Sequence, residues 1–321
     1  MALRVGITGA LSSSVTDQSR DVTTPLLGAA QPKRPADADT LQLGDYQILG
    51  LLARGGTGGV YLASHNRTQQ RVAIKVLDPH WGKHDELVSR LLDEYAIARR
   101  VEHPGLLEIH AAGRTADGVT YLVMELLDGE NLGDLVDRGR VVFGAIAAIG
   151  AQIARAVASL HVAGIVHCDI KPDNVFLLYE QGLQGWPRIK VIDYGVSQRV
   201  DEPVRDSIAG TPSCMAPEQW RGMPTVKSDV YSLGCLLYWL ATGSPPFTGP
   251  LPQLMLSHSN VLPERPSTQR ELPAELERLI MRALQKDPAM RPTMRDMARD
   301  LSALSAQYPT GAITGLLEAV G

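Results

Sequence analysis

His167-Cys168-Asp169-Ile170-Lys171-Pro172-Asp173-Asn174, followed further along by Asp193-Tyr194-Gly195, is the stretch on which the reading of this chain turns. An acid, a lysine and an asparagine at this spacing, with a second acid before a glycine, supply the parts that phosphoryl transfer needs. Asp169 can orient a hydroxyl nucleophile and take its proton, and Lys171 can neutralise the phosphate in flight. Asn174 and Asp193 offer hard oxygen ligands suited to magnesium.

Upstream, Leu52-Ala53-Arg54-Gly55-Gly56-Thr57-Gly58-Gly59-Val60 lies between two strand-like runs, where a hairpin covering a triphosphate would sit. Glycines there let the backbone approach phosphate oxygens closely. Val72-Ala73-Ile74-Lys75 then places one lysine at the end of an apolar strand, in reach of the α- and β-phosphates. Such a lysine needs a carboxylate to hold it. Glu94, on the helical pattern that follows, is preferred over Glu86 and Glu102, which fall on less suitable faces.

With these parts in this order, the chain resembles the eukaryotic-like protein kinase family, and Asp-x-Lys-Pro-x-Asn resembles its bacterial-type Ser/Thr branch. The resemblance covers about residues 46–300 and implies an α+β bilobal fold, a β-rich N-lobe followed by a larger helical C-lobe. It implies ATP and magnesium as cofactors, with manganese as an alternative. Asp169 would be the base, with Lys171, Lys75, Glu94 and Thr211 completing the catalytic set, and Asn174 and Asp193 the metal ligands. The nucleotide would lie against Leu52, Ala53, Gly55, Gly56, Gly58, Val60, Ala73 and Lys75 above and Phe176 below. Met124 would stand at the rear, the backbone of Glu125 and Leu127 would bond the base edge, and Glu130 is a candidate for the ribose. Gly210-Thr211-Pro212 and Ala216-Pro217-Glu218 resemble a peptide platform, which implies protein Ser or Thr hydroxyls as acceptors. Glu218 is expected to pair with Arg291, Asp229 to cap the catalytic loop, and His167 to be a buried packing residue.

Two positions depart from the family pattern. Ala53 stands where a glycine begins the phosphate loop, with Gly59 as an extra glycine nearby. Cys168 stands where many members carry an arginine that gathers a phosphate on the activation segment, a charge-assisted contact worth about 1.5–3 kcal/mol. Activity is therefore expected to depend little on phosphorylation of that segment, which carries Ser197, Ser207, Thr211 and Ser213. Tyr194 replaces a commoner phenylalanine and needs a partner for its hydroxyl. A redox bridge between Cys168 and Cys214 is conceivable, but two ordinary thiols are the simpler reading.

Composition narrows the remaining classes. The chain has 321 residues, 44% of them hydrophobic and 21% charged, enough for a substantial core. A net charge of −4 gives no sign of a nucleic-acid surface. Three cysteines without metal-ligand spacing fit a reducing, cytoplasmic location. The most apolar stretch, Val141–Val166, contains Gln152, Arg155 and His161 and suits a buried helix better than a membrane span. Gly6, Thr8 and Gly9 interrupt the apolar run at the start, against a signal peptide.

Residues 1–42 are read as a flexible Ser/Thr/Pro-rich leader, 43–305 as the catalytic domain (43–127 and 128–305 for the lobes), and 306–321 as a short tail that could dock on a partner but more often would simply fray. Strands are expected at Tyr46–Leu52, Gly59–His65, Arg71–Leu77, Leu106–Ala111 and Val119–Glu125, and a helix at Glu86–Val101. Helical periodicity continues from Leu132 to Gly164 and over Lys227–Thr242, Pro273–Leu284 and Thr293–Ser305. Autophosphorylation, with the self-association it needs, is expected, and Thr23-Thr24-Pro25 in the leader is a candidate target. A catalytically silent, nucleotide-binding scaffold is the alternative. A small-molecule phosphotransferase would leave the peptide platform unexplained.

Overall fold

The computed structural model describes residues 42–78, 84–178, 185–199, 210–308 and 316–317. Almost all of the expected leader, Ser207 and most of the tail lie outside them. Alternating apolar residues build an antiparallel sheet from β1 (Gln42–Leu43), β2 (Tyr46–Arg54), β3 (Gly58–His65), β4 (Arg71–Leu77), β5 (Ile109–Arg114) and β6 (Thr120–Met124). The strand order is β1-β2-β3-β4-β6-β5. Register pairs Val60 with Lys75 and Ala73 with Met124, so the glycine-rich turn, the strand lysine and the rear wall share one end of the sheet. Against it packs α1 (Asp85–Ala98), whose buried residues Leu91, Glu94 and Ile97 recur at helical spacing on one face.

The C-terminal part is helical: α2 (Leu132–Arg138), α3 (Phe143–Val162), α4 (Val226–Thr242), α5 (Leu251–Asn260), α6 (Ala274–Ala283) and α7 (Met294–Ser305). Five short strands of the described residues lie among them, β7 (Gly129–Asn131), β8 (Ile165–Val166), β9 (Val175–Leu178), β10 (Ile189–Val191) and β11 (Gln198–Arg199), with an isolated bridge between Val141 and Leu317. Antiparallel pairs β7–β9–β10 and β8–β11 bracket the Asp169 loop on both sides. The α+β bilobal architecture is as expected. Helix α3 is long and apolar enough to cross a membrane by length and composition, yet 72% of its apolar window is buried in the domain, where it serves as the core helix.

Three expectations need correction. Periodicity from Leu132 to Gly164 is not one helix, because Gly139, at φ +150°, breaks it and a short extended link follows. Leu106 and Leu107 do not join β5; Leu106 bridges Val191 and the Leu107 N–H donates to the Val191 carbonyl, tying the two lobes together. The tail does not simply fray. Leu316 is fully buried, its carbonyl accepts from Val142 N–H at 2.8 Å, and Leu317 bridges Val141 between α2 and α3.

Candidate active site

Lys75 leaves β4 beside Glu94, which α1 turns inward. Their charged ends meet at 2.9 Å, and Lys75 Nζ also lies 3.4 Å from Asp193 Oδ1. Burial disfavours the Lys75 ammonium, but the Asp193 and Glu94 carboxylates outweigh that and hold its pKa well above the ordinary lysine value. The Lys75 charge in turn holds the Asp193 carboxyl below its ordinary value, against burial, with help from the Gly195 N–H at 3.1 Å. Burial pushes the Glu94 carboxyl upward while Lys75 opposes it. Glu86 instead pairs with Arg90, four residues along the same helix.

The Asp169 loop is assembled from the other lobe. Asn174 Nδ2 donates to the Asp169 backbone carbonyl and to Asp169 Oδ2, both at 2.9 Å. Thr211 Oγ1 donates to Asp169 Oδ1 at 2.6 Å, and Lys171 Nζ lies 3.5 Å from Oδ2. Burial works against the Lys171 ammonium, but Asp169 leads the neighbouring carboxylates in raising its pKa. Asp229 accepts the backbone N–H groups of His167 and Cys168, each at 2.8 Å, and meets His161 Nε2 at 2.7 Å. It therefore caps the loop as expected. His167 is fully buried, and its Nδ1 accepts the Asp169 N–H at 3.3 Å.

Two residues of the site hold left-handed backbone angles, Cys168 at φ +69° and Asp193 at φ +67°. Such angles in non-glycine residues cost about 1–3 kcal/mol each and concentrate at functional sites. Tyr194 is buried beside them and donates its hydroxyl to the Leu107 carbonyl at 3.4 Å, supplying the partner its extra oxygen needs.

A cleft of about 210 Å³ lies between these two halves. It brings together Ala53, Gly55, Gly56, Gly58, Val60, Lys75, Met124, Asn174 and Asp193 from the expected nucleotide and metal sets. Leu52, Ala73, Glu125, Leu127 and Phe176 are not among its lining residues. Phe176 sits wholly in the C-lobe core, opposite Lys190 in the β9–β10 ladder, while Leu91, Leu107 and Ile192 supply apolar wall instead. The Glu125 side chain is taken by Lys190 at 2.6 Å and by the Glu108 N–H at 2.7 Å, and its own N–H donates to the Glu108 carbonyl. Glu130 is likewise committed elsewhere: Arg138 grips both of its carboxylate oxygens, one at 2.6 Å.

Sequence reasoning passed over Lys190, whose ammonium is buried and also donates to the Leu106 carbonyl at 3.0 Å. A lysine inside the apolar run Ile189–Ile192 was the available signal. It also passed over Gln219, for which no motif gives a signal. Cys168, Cys214 and Cys235 are buried thiols outside any disulfide; Cys214 neighbours Cys235 on α4, and Cys168 directs its thiol to the Val166 carbonyl at 3.6 Å. The platform is anchored below by Glu218 and Arg291, which join through two bonds of 2.6 and 2.9 Å, with Ser228 as a further donor to Glu218.

A bilobal domain with this cleft and this pair of carboxylate centres defines a protein kinase, and residues 46–301 match the family model described as Protein kinase domain. The chain belongs to that family. Among its relatives is the serine/threonine-protein kinase Pkn1 of Myxococcus xanthus, 36% identical over 258 residues, which take in 78% of this chain and 37% of that protein. Serine/threonine-protein kinase PknA of Mycobacterium tuberculosis is 35% identical over 257 residues, covering 77% of this chain and 58% of PknA. Serine/threonine-protein kinase PkaA of Streptomyces coelicolor is 34% identical over 290 residues, covering 84% of this chain and 52% of PkaA. The family is therefore of the bacterial Ser/Thr type, and the chain spans less than two thirds of these relatives' length.

Proposed function

We propose that the chain is an ATP-dependent Ser/Thr protein kinase that transfers the γ-phosphoryl group to protein hydroxyls, its own among them. The observation that carries this reading is Thr211 Oγ1 bonded to Asp169 Oδ1 at 2.6 Å. It supports the reading because Asp169 already accepts a bond from a hydroxyl of the peptide platform, as it would from an acceptor Ser or Thr. Asp169 would orient the acceptor and take its proton, Lys171 would offset charge on the transferring group, and Lys75, held by Glu94, would fix the α- and β-phosphates. Ala53, the glycines and Val60 would cover the nucleotide, with Met124 behind it.

A divalent cation fits the donors present. Asn174 uses its amide nitrogen for both bonds to Asp169, so its oxygen is the donor it can offer, beside the Asp193 carboxylate in the same cleft. Among the described residues no group of three or more His, Cys, Asp or Glu forms a cage. That suits magnesium, which draws on one or two protein oxygens plus phosphates and water, and manganese would take the same ligands. When bound, such an ion would supply charge neutralisation at the transferring phosphate.

Cys168 supports weak dependence on activation-segment phosphorylation, because a buried thiol cannot gather a phosphate. Residues 43–305 would be the working unit and 1–42 a leader open to autophosphorylation. A cytoplasmic site of action follows from this chemistry, since ATP is the donor.

The test is phosphate incorporation from ATP with magnesium or manganese, wild type beside Asp169→Asn, with phosphosite mapping. Phosphoserine or phosphothreonine in the wild type alone supports the reading. ATP binding without transfer would replace it with a nucleotide-binding scaffold. Replacing Ser207 and Ser213 together by alanine, with Thr211 kept, should leave most of the activity; a large loss would end the claim of weak dependence.

A further inference from the structure

The backbone just before Asp169 has four polar groups, and every one is held by a side chain. Asp229 takes the two N–H groups. The two carbonyls are held by uncharged donors from opposite ends of the activation segment. Ser197 Oγ donates to the His167 carbonyl at 3.2 Å, and Gln219 Nε2 donates to the Cys168 carbonyl at 2.8 Å. Both donors are only 2% exposed. Gln219 is itself fixed at its other atom, since Oε1 accepts the Ala216 N–H at 3.0 Å. The approach is kept open by Gly210, at φ +128°, where a Cβ would fall 2.8 Å from the Cys168 carbonyl oxygen and 3.2 Å from Gln219 Nε2.

We infer that Gln219 and Ser197 are positioning residues that lock the Asp169 loop to both ends of the activation segment through neutral hydrogen bonds, in place of an arginine–phosphate tie at position 168. The inference rests on the kinase reading above. Residue 168 adopts a left-handed angle, a strained conformation that the carbonyl ties hold together with Asp229 on the Cys168 N–H and His167 Nδ1 on the Asp169 N–H. Rotation there would swing Asp169 away from Thr211 and Asn174. A misplacement of about 1 Å at a reacting group can cost about 10²-fold in rate. Because neither tie carries charge, the lock forms without phosphate and does not weaken with salt.

The experiment measures steady-state phosphotransfer from magnesium ATP in the full chain, before and after phosphatase treatment, for the wild type, Gln219→Glu, Ser197→Ala and the double variant. Nucleotide affinity and thermal midpoint are measured on the same samples. Gln219→Glu keeps the shape and the acceptor atom but removes the donor to Cys168. Expected is a fall in kcat of about tenfold or more for each single variant, a larger fall for the double, and an ATP KM and nucleotide affinity within about twofold of wild type. The loss should be the same after phosphatase treatment. If kcat stays within about twofold of wild type, or falls only in step with ATP affinity and thermal midpoint, the residues are not positioning Asp169 and the inference fails. Should Gln219→Glu not fold, Ser197→Ala, which deletes a single hydroxyl, decides the matter. A wild type that binds ATP but transfers nothing refutes the kinase reading first, and is distinguishable because it appears before any variant is compared.

Discussion

The glycine-rich hairpin and the Asp169 loop stand on opposite sides of one cleft and are built by opposite means. In the hairpin, Gly55 N–H bonds Gly58 carbonyl at 2.8 Å and Asp78 N–H bonds Thr57 carbonyl at 3.0 Å, and Arg54 to Thr57 are all exposed. In the loop, His167, Cys168, Lys171 and Asn174 are buried, the side chains of Asp229, Ser197 and Gln219 hold the backbone, and Thr211 holds the Asp169 carboxylate. The tip of the hairpin is held by backbone bonds alone and stands open to solvent. The loop is over-determined, which is how it sustains a left-handed cysteine. Open turn and rigid chemistry are thus divided between the lobes.

The sharpest way to break this contrast is Asp169→Asn. It should lower phosphotransfer by about 10²–10⁴-fold while leaving nucleotide binding intact, read by ATP titration of activity against direct binding. Next comes the anchor below the loop. Arg291→Ala strands the buried Glu218 carboxylate and should cost about 3–5 kcal/mol of stability, measured by denaturant unfolding. No comparable loss is expected from any single charge change in the hairpin.

A third prediction concerns pH. His258 on α5 is buried and its Nδ1 meets the Tyr231 hydroxyl at 3.0 Å; Phe247 packs on its ring and the Lys286 ammonium lies nearby. Burial, aided by the Lys286 charge, lowers its pKa to about 3. The folded state therefore keeps it neutral while the unfolded chain takes up a proton below about pH 6.5. Above that value the group contributes no pH dependence, and as pH falls it favours unfolding. Between pH 6.5 and pH 5 this amounts to about 2 kcal/mol. Replacing His258 with glutamine should flatten that slope in denaturant melts at the two pH values, whatever it does to the stability itself.

The smallest effects belong to the hairpin and sharpen the comparison from the other side. A Cβ at Gly58 would lie 2.0 Å from the Val76 carbonyl oxygen, so Gly58→Ala must shift backbone. It should raise the ATP KM several-fold, to the order of 1 kcal/mol. At Gly56 a Cβ meets nothing within 4 Å. Gly56→Ala should change the ATP KM by less than about twofold, and a larger change would show that the hairpin is as constrained as the loop.

Legibility in the sequence followed the same division. Lys75, Glu94, Asp169, Lys171, Asn174, Asp193 and Thr211 were readable because each carries chemistry at a spacing set by one local element. The Glu218–Arg291 pair and the Asp229 cap were readable only through the family resemblance, since the partners lie far apart in the chain. Gln219 and Ser197 were not readable, because an amide or a hydroxyl bonded to a backbone carbonyl leaves no pattern in sequence. Helix α5 was missed for a physical reason. Leu251, Met255 and Leu256 are exposed, 43%, 46% and 59%, so its apolar residues do not mark a buried stripe. Of the apolar residues expected at the nucleotide, Ala53, Val60 and Met124 line the cleft, whereas Phe176 packs in the C-lobe core, a difference that an apolar side chain does not mark in sequence. The Glu130 side chain was lost to Arg138, an i to i+8 partner that no helical or strand spacing suggests.

Leu316 and Leu317 change how the domain would bear a load. The carboxyl end of α7 is not the last point at which the chain is fastened, because Leu316 is buried and bonded to Val142 at the joint between α2 and α3. A pull on the chain beyond Leu317 would reach that joint before it reached α7. One hydrogen bond and one leucine side chain, worth about 1.5–3 kcal/mol in burial, would act as a fuse that releases ahead of the catalytic core.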